Sequence, residues 1–333
     1  MSTANIGRKN WKSIFHSGNA VVTAVASRDP ARSRKFIEEC QAETPFESPP
    51  AALGSYQELL ASPNVDAVYV PLPTALRREW VLRAAGAGKH VLCEKPCAAT
   101  AAELEEMIAG CRKHHVQFMD GVMFMHNRRL EQIRAVLNDG TSVGPLRRIA
   151  SQFSFAGSEE FFRSDIRVDG ALEPLGCLGD LGWYCVRFAL WTMNWQTPRR
   201  VEGRILAHAG GTRAGVPVAF SGELHFDGGV TSGFYCSFET PFRQWAEISG
   251  AKGWLRLDDF VVPKAGAESS YEVNHHPVPS DGSAGQPVAA QETNMIRNFA
   301  EQARSGRLNE DWPDWSLKTQ RVMDAAMASA RGG

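Results

Sequence analysis

The sequence contains no long hydrophobic run: none of its 333 residues lies in a window that approaches the roughly 18 apolar residues of a membrane span. A charged-then-apolar leader is also absent, so neither a membrane partner nor a secretory signal is expected. These absences predict a protein of the cytoplasm.

Net charge is also small, because 36 Lys and Arg residues oppose 37 Asp and Glu residues. No basic stripe with interleaved aromatic residues is present, so the sequence does not favour nucleic acid as a partner. None of the seven cysteines forms a Cys-x-x-Cys pair, and no cluster of His, Asp or Glu has metal-ligand spacing. We predict reduced core cysteines and no metal site.

What the sequence does contain is enough chain for two domains, and the first alternates apolar strands with helices. Its strands are continuous apolar runs with β-branched residues, as in strands covered on both faces. This alternation predicts a Rossmann-like doubly wound parallel sheet, in which ligands bind beyond the carboxyl ends of the strands. Strands are predicted at 20–26, 65–70, 90–93 and 117–119, and helices at 6–17, 30–39, 58–60, 79–87 and 101–114.

From about Ile149 the pattern changes to short strands of a largely antiparallel sheet. We predict an α/β domain (1–122), an α+β domain with a large open sheet and helices on one face (123–310), and a C-terminal helix that packs back on the first domain (311–333). The seam between the two domains is the default place for a small-molecule site. Strands are predicted at 149–155, 201–207, 218–226, 230–238, 246–249 and 253–257, helices at 179–191, 292–303 and 315–331, and a Gly-, Ser- and Pro-rich loop at 265–286.

Ser2-Thr3-Ala4-Asn5-Ile6-Gly7 has the spacing of a dinucleotide fingerprint, in which small residues let a pyrophosphate approach a helix N-terminus. The fingerprint normally follows an apolar strand, but only Met1 precedes it here. Either the chain as given starts roughly six to ten residues late, or its sheet lacks the central first strand. We favour the first alternative, because a missing middle strand leaves a row of backbone groups unpaired.

The end of the strand at 20–26 predicts which dinucleotide binds. A carboxylate there reads an unphosphorylated ribose, whereas a small hydroxyl and an arginine suit a 2′-phosphate. The sequence has Ser27 and Arg28 at this point, and Arg32 or Arg34 can add charge. NADP is therefore preferred to NAD, although Asp29 keeps NAD open and Arg28 has the alternative of a solvated residue before a helix.

Lys95 lies in Glu94-Lys95-Pro96, directly after the buried strand at 90–93. A lysine between an acid and a proline at the end of an apolar strand has its ammonium held in one direction and partly dehydrated. Such an ammonium can polarise a hydroxyl or a carbonyl. The alternative is a surface lysine beside a turn proline. Ser27-Arg28 and Pro71-Leu72-Pro73-Thr74 fall at the same edge of the predicted sheet, and this convergence favours a site.

Asp180 and Tyr184 form a second candidate group, because their i and i+4 spacing places both on one face of a helix. An ammonium beside a phenol stabilises the phenolate, so Tyr184 near Lys95 is expected to exchange a proton with a substrate at neutral pH. Asp180 is expected to bind a substrate hydroxyl or to fix the lysine. The alternatives are a helix N-cap for Asp180 and a core aromatic for Tyr184.

Together, Cys93-Glu94-Lys95-Pro96 and Asp180-x-Gly-x-Tyr184 resemble motifs of the glucose–fructose oxidoreductase/inositol dehydrogenase (Gfo/Idh/MocA) family. The resemblance covers nearly the whole chain and is nearest to NADP-dependent dihydrodiol and D-xylose dehydrogenases and to a plant-type group. It implies that Lys95 and Tyr184 are catalytic, with Asp180 as the accompanying carboxylate. The family's cofactor contacts imply Thr3, Asn5, Ile6, Ser27, Arg28, Leu72, Pro73, Thr74, Glu94 and Lys95, and Arg32 and Pro96 complete the predicted set.

The chain also departs from this family at the substrate side. Many members have Asn-x-x-His where this sequence has Thr74-Ala75-Leu76-Arg77, and Met125 replaces a frequent arginine. We predict a different pocket, with His126, Asn127, Phe162 and Arg167 as candidate wall residues. The alternatives are a structural role for His126 and pairing of Arg167 with Asp165 or Asp169.

The expected activity is NADP-dependent hydride transfer between the nicotinamide and a carbinol or carbonyl carbon of a sugar, polyol or cyclic diol. Two alternatives stay open: hydrolysis or elimination through a transient oxidation, and a non-catalytic dinucleotide-binding sensor. By analogy with relatives, a homodimer is expected through the open sheet. Phe234, Phe238 and Trp254 are expected to be left over on this sheet, available for contact with a second copy.

Overall fold

The computed structural model describes residues 1–211, 215–263, 270–279 and 290–332. In the first part of the chain, short parallel strands alternate with helices, which confirms the Rossmann-like prediction. Strand β1 (Ala24–Ala26) pairs with β2 (Ala51–Leu53), and β3 (Ala67–Val70), β4 (His90–Cys93) and β5 (Phe118–Asp120) form a second parallel sheet. The helices are α1 (Asn5–Ser17), α2 (Pro30–Glu43), α3 (Tyr56–Ala61), α4 (Thr74–Gly86) and α5 (Ala101–Lys113).

Capping residues define where several of these helices begin. The Ser55 hydroxyl accepts from the Glu58 amide at 3.1 Å, and the Thr100 hydroxyl accepts from the Glu103 amide at 3.3 Å. Both follow the Ser/Thr-x-x-Glu capping pattern, which satisfies amide groups that lack a partner within the helix. The sequence analysis missed β2, because a strand of three residues is too short to show a periodicity.

A gap separates the two parallel sheets. Among the described residues, β1 pairs only with β2 and β3 pairs only with β4, so their facing edges have no strand between them. A cavity of about 130 Å³ lies at this gap, with apolar walls that include Trp11, Val22 and Val68. The Met1 amino group reaches the Tyr69 carbonyl oxygen at 2.9 Å at the rim. This cavity lies where the expected central strand would pass between β1 and β3.

The second part of the chain forms one sheet of eight strands in the order β13-β12-β11-β10-β6-β9-β8-β7 over the described residues. Only β6 and β9 pair in parallel within this set, and the largely antiparallel prediction is confirmed. The strands are β6 (Leu146–Ala156), β7 (Arg200–His208), β8 (Pro217–His225), β9 (Thr231–Ser237), β10 (Glu239–Gly250), β11 (Trp254–Leu257), β12 (Ser270–Val273) and β13 (His276–Pro279).

The loop predicted at 265–286 is wrong over 270–279, where β12 and β13 form a hairpin. Asn274 and His275 make its two-residue turn with φ of 49° and 69°, the left-handed pair that matches the twist of hairpin strands. The Gly-, Ser- and Pro-rich surroundings hid this turn from the sequence analysis. The remaining residues of the predicted loop up to 269 and from 280 lie outside the described residues.

The outer face of the large sheet is open and mostly polar, with Arg148, Tyr235 and Trp245 along a shallow depression. The side chains of Phe234 and Phe238 are buried, with exposed fractions of 5% and 0%. Side chains alternate between the two faces of a strand, so Tyr235 points outward where Phe234 points to the core. The expectation that Phe234 and Phe238 are left over on the open face is therefore corrected.

Five further helices follow in the described residues of the second part of the chain, and of these α8 and α10 pack on the large sheet. The helix predicted at 179–191 is divided: Leu178–Gly182 is a π-helical turn and α8 starts at Trp183. A Cβ atom on Gly179 would lie 3.1 Å from Cγ of Pro96, and one on Gly182 would lie 3.2 Å from Sγ of Cys236. These glycines let the π turn pack between the Glu94-Lys95-Pro96 segment and β9. The helices are α6 (Arg129–Asn138), α7 (Glu159–Ser164), α8 (Trp183–Thr192), α9 (Ala290–Arg304) and α10 (Asp311–Ala330).

Helix α10 packs on β5 and α5 as well as on β7 and α8, so it contacts both parts of the chain. A buried ion pair between Asp120 at the end of β5 and Arg187 on α8 lies beneath it. Ser316 donates to Asp120 Oδ2 at 2.7 Å, and Arg187 Nε donates to Thr319 Oγ1 at 2.7 Å. Across the described ranges, no helix has the length and apolar character needed to cross a bilayer.

The gap between β1 and β3 leads to a prediction about stability. An apolar strand of about five residues joined ahead of Met1 is expected to fill the cavity and pair with both edges. The melting temperature should rise by about 3 °C or more, and NADP should bind more tightly because the strand supports the start of α1. Differential scanning fluorimetry and fluorescence titration with NADP measure both changes.

A strand of the same length with Asp and Lys in place of its apolar residues is the control. It should give neither gain, since burying these charges offsets the new backbone pairing. Equal melting temperatures and equal NADP affinities with and without the apolar strand would contradict the prediction.

Candidate active site

A cavity of about 460 Å³ lies at the carboxyl ends of β3 and β4, where the second part of the chain covers the parallel sheet. Residues from the start of α1, from both strand ends and from the segment before α8 line this cavity. The structure therefore brings together predicted site residues that are far apart in the sequence. Those in its wall are Asn5, Ile6, Leu72, Glu94, Lys95, Pro96, Arg167, Asp180 and Tyr184.

Lys95 and Asp180 form the ion pair at the centre of this wall. Lys95 Nζ donates to Asp180 Oδ1 at 2.6 Å and to the Asp180 carbonyl oxygen at 2.8 Å. These two bonds leave one of the three N–H groups of the ammonium for another acceptor. The π turn presents Oδ1 and the carbonyl oxygen of Asp180 to the lysine. Asp180 lies within this turn, so the N-cap alternative does not apply.

Asp180 has a second cationic neighbour, because Arg167 Nε lies 3.3 Å from its Oδ2. Burial acts to raise the pKa of Asp180, but the ammonium of Lys95 and the guanidinium of Arg167 outweigh it and hold the pKa below its usual value. Asp180 is therefore ionised at neutral pH. Arg167 also contacts Asp165 at 3.4 Å, as one sequence alternative expected, and still lines the cavity.

Tyr184 lies one helical turn after Asp180 and is only 6% exposed. Lys95 Nζ lies 4.8 Å from the centroid of its ring, over the face and not at the hydroxyl. The hydroxyl contacts Met123 Sδ at 3.6 Å, and sulfur is a weak acceptor. Little within the protein therefore competes with a substrate oxygen for this hydroxyl.

The pKa of Tyr184 is raised well above its usual value, which corrects the sequence-based expectation. Burial is the main cause, and the negative charges of Glu94, Asp180 and Glu292 add to it. The sequence showed which groups are near Tyr184, but not that the ammonium meets the ring face instead of the oxygen. Tyr184 thus holds its proton at neutral pH, as a proton donor must.

Glu94 is fixed beside this group at the end of β4. The Tyr69 hydroxyl donates to Glu94 Oε1 at 2.5 Å, and the Lys95 amide lies 3.3 Å from Oε2. A Cβ atom on Gly121 would lie 3.2 Å from Oε1, so the glycine lets the chain after β5 approach Glu94 closely. The carboxylate forms a rigid part of the cavity wall.

The N-terminus of α1 faces the cavity through Ala4, Asn5 and Ile6. No side chain caps this helix, and its first turn carries no acidic residue. An uncapped helix N-terminus offers free amide groups and a positive dipole end, which fit the pyrophosphate of a dinucleotide. Thr3 precedes this turn, half-buried.

Ser27 and Arg28 follow β1, and Arg32 lies in the first turn of α2, all away from the cavity. The Ser27 hydroxyl is buried and donates to the Asp29 carbonyl oxygen at 2.6 Å. The Asp29 carboxylate accepts from the Ala31 amide at 2.8 Å and caps α2. Arg28 and Arg32 are exposed and form no ion pair with the described residues, so both remain available to an anion.

Pro73 and Thr74 follow β3, but Thr74 does not face the cavity freely. Its hydroxyl donates to Glu173 Oε2 at 2.5 Å, and its amide donates to Glu173 Oε1 at 3.0 Å. Sequence reasoning missed Glu173, because nothing in the sequence links positions so far apart. The further cavity residues that it did not assign include the charged residues Lys9, Arg77, Glu173 and Glu292.

Three predicted wall residues lie elsewhere. His126 Nδ1 is 3.0 Å from Asn298 Nδ2, and burial lowers the pKa of His126 to about 4, so it is neutral. Asn127 is buried and accepts from the Arg129 amide at 3.0 Å. Phe162, on α7, packs against Phe161 and is largely exposed. These three side chains contact other protein groups outside the cavity. Of the four predicted wall residues, only Arg167 lines it.

Comparison with known proteins identifies relatives over the whole chain. The sequence model described as "Oxidoreductase family, NAD-binding Rossmann fold" matches residues 3–122, and that of the GFO/IDH/MocA C-terminal domain matches residues 130–256. The chain is 31% identical over 336 residues to D-xylose 1-dehydrogenase (NADP(+)) 2 of Haloferax volcanii, with coverage of 100% of this chain and 97% of that protein. It is 34% identical over 251 residues to trans-1,2-dihydrobenzene-1,2-diol dehydrogenase of Mus musculus, with coverage of 75% and 70%.

A solved structure also matches closely. It is a tyrosine-to-phenylalanine variant of KijD10, a 3-ketoreductase from Actinomadura kijaniata, in complex with TDP-benzene and NADP. The TM-score is 0.85 at 27% identity, and the match covers 98% of this chain and 95% of that one.

Proposed function

We propose that this chain, which belongs to the Gfo/Idh/MocA family of oxidoreductases, uses NADP to transfer hydride to or from a sugar, polyol or cyclic diol. The reacting carbon would be a carbinol or carbonyl carbon. The observation that carries the proposal is the Lys95–Asp180 ion pair stacked on the ring of Tyr184, in a cavity that the N-terminus of α1 also lines. The N-terminus of α1 binds the cofactor phosphates, and Lys95, Asp180 and Tyr184 manage the proton.

The bound dinucleotide would supply the hydride chemistry, and the protein orients the reactants and manages the proton. In reduction, Tyr184 donates its proton to the substrate oxygen while hydride adds to the carbonyl carbon. The remaining N–H group of Lys95 stabilises the negative charge that develops on this oxygen. Asp180 holds Lys95 in place and neutralises it. In oxidation Tyr184 would have to accept the proton as its anion, and its raised pKa keeps this anion scarce at neutral pH.

NADP is preferred to NAD because of the charges at the end of β1. Arg28 and Arg32 are exposed cations, and the Asp29 carboxylate that would favour NAD is already used to cap α2. An arginine pair suits a 2′-phosphate; the xylose dehydrogenase is named as an NADP(+) enzyme, and KijD10 was solved in complex with NADP.

A homodimer through the open face of the large sheet is part of the proposal. Tyr235 and Trp245 are partly exposed there, and Arg148 pairs with Glu223 beside them. Aromatic residues with charged neighbours are typical of interface centres and rims.

The seven cysteines are free, which supports a reducing compartment such as the cytoplasm, and imaging of the tagged chain in its host cell tests this.

Lys95→Met and Tyr184→Phe each test the catalytic assignment. Either change should lower kcat by about a hundredfold or more, because it removes the group that stabilises or protonates the reacting oxygen. NADP affinity should change little. The assay screens aldoses, inositols and cyclic diols with NADP and follows absorbance at the reduced nicotinamide band.

Lys113→Met, an exposed lysine on α5, is the control and should keep the wild-type rate. Full activity in both test variants would remove these residues from the mechanism. Product formation without net change in the nicotinamide absorbance would instead favour transient oxidation.

Arg28→Ala tests the choice of cofactor. The dissociation constant for NADP should rise about tenfold or more, as expected for the loss of a charge-assisted bond to phosphate, while that for NAD stays nearly constant. Fluorescence titration with both dinucleotides measures this difference. Lys35→Ala removes an exposed cation from the same region as the control. A wild-type preference for NAD would reject the assignment.

The dimer is tested by Tyr235→Asp together with Trp245→Asp. Two buried like charges should convert the dimer to a monomer, as measured by sedimentation velocity. Val21→Asp places a charge at another exposed apolar position and should leave the oligomeric state unchanged. A wild-type monomer at micromolar concentration would defeat the proposal.

A further inference from the structure

Helix α4 begins directly after the end of β3, and the second part of the chain caps it. Pro73 precedes the helix and offers no side-chain cap. Glu173 takes this role: its Oε1 accepts from the Thr74 amide at 3.0 Å, and the neighbouring Leu172 carbonyl oxygen accepts from the Ala75 amide at 3.1 Å. A carboxylate from one domain therefore holds the first turn of a helix in the other.

Arg77 completes this junction from within α4. It is 5% exposed, and its Nε donates to the Leu72 carbonyl oxygen at 2.7 Å. Its Nη1 donates to the Pro96 carbonyl oxygen and, at 3.1 Å, to Thr74 Oγ1. Its Nη2 lies 4.0 Å from Glu173 Oε1. One guanidinium thus joins the segments after β3 and β4 to each other and to the second domain.

This junction is connected along the chain to both residues of the Lys95–Asp180 ion pair. Pro96 follows Lys95 directly, and Glu173 belongs to the segment that runs into the π turn with Asp180. We propose that Arg77 and Glu173 are positioning residues that set the distance between Lys95 and Asp180. The inference deepens the proposed function and rests on it for its kinetic test.

Stability alone does not account for such an arrangement. A buried ion pair is about as favourable as well-packed apolar residues of similar size, because desolvation offsets the attraction. Its directional bonds do fix geometry, and a shift of about 1 Å at a catalytic group can cost a hundredfold in rate. The guanidinium of Arg77 also acts on Asp180, where it supports the ionised carboxylate together with Lys95 and Arg167.

Glu173→Gln and Arg77→Gln, alone and combined, test the inference. Each single change should lower kcat about tenfold or more, while KM for the substrate and the dissociation constant for NADP stay within about threefold. The double variant should be little slower than either single one, because both act through the same junction. Glu173→Gln keeps an oxygen acceptor for the Thr74 amide, so it should fold even where Arg77→Gln does not.

The control is a neighbouring exposed ion pair between Arg78, on the same helix, and Glu106, on α5, at 2.6 Å. Arg78→Gln with Glu106→Gln should leave kcat unchanged. Glu173→Asp keeps the charge and should recover part of the rate lost in Glu173→Gln. Unchanged kcat in Glu173→Gln, strictly additive losses, or a loss explained by a lower melting temperature alone would each overturn the inference.

A second measurement does not depend on turnover. Acetylation of Lys95 by acetic anhydride, followed by mass spectrometry, should be several-fold faster in Glu173→Gln, because the lysine is held less firmly against Asp180. Lys89, which donates to the Ser62 carbonyl oxygen, serves as the internal reference. An inactive wild type with this acceleration would reject the proposed function alone, and an equal Lys95 rate in both proteins would reject the positioning role.

Discussion

The buried ion pair between Asp120 and Arg187 fixes how the two parts of the chain meet. Two hydroxyls of α10 satisfy its remaining bonds, so the pair joins β5, α8 and α10 at one point. Loss of either partner would leave an uncompensated buried charge, at a cost of about 3–5 kcal/mol. Tyr184 lies one turn earlier on α8, and Asp180 lies in the π turn before it. The position of α8 therefore sets where both residues stand relative to Lys95.

Within this frame, paired charges give the candidate site its chemical character. Lys95 is paired with Asp180, and Arg167 contacts both Asp180 and Asp165, so the charges of these four residues balance. Tyr184 is different, because burial and the surrounding carboxylates favour its neutral form. A lysine with one free N–H group next to a protonated phenol is an arrangement for stabilising and then protonating an oxygen anion. The geometry achieves this without a lowered pKa for the phenol.

The sequence predicted the parts of this site that depend on local pattern. Lys95 follows an apolar strand, and the i and i+4 spacing of Asp180 and Tyr184 predicted a shared face, so local pattern made all three candidates and the resemblance to the family assigned their roles. Arg77 and Glu173 could not be found this way, because their contact joins two domains and leaves no periodic signal. The direction of the Tyr184 pKa was wrong for a related reason: proximity follows from a motif, but the facing atom follows from packing. The hairpin at 270–279 was hidden by its turn-rich composition.

The gap between β1 and β3 changes what supports the predicted cofactor loop. In this structure α1 does not follow a paired central strand, and α9 holds it instead. Asn19, just beyond α1, donates to the Arg297 carbonyl oxygen at 2.9 Å, and Arg297 donates back to the Ser17 carbonyl oxygen at 3.1 Å. Lys9 adds an ion pair of 2.5 Å with the buried Glu292. Helix α9 also lines the candidate site through Glu292. It therefore supports both α1, on the cofactor side, and the wall of the cavity. Filling the gap would give the cofactor side a support of its own, and cofactor affinity would then depend less on how α9 is packed.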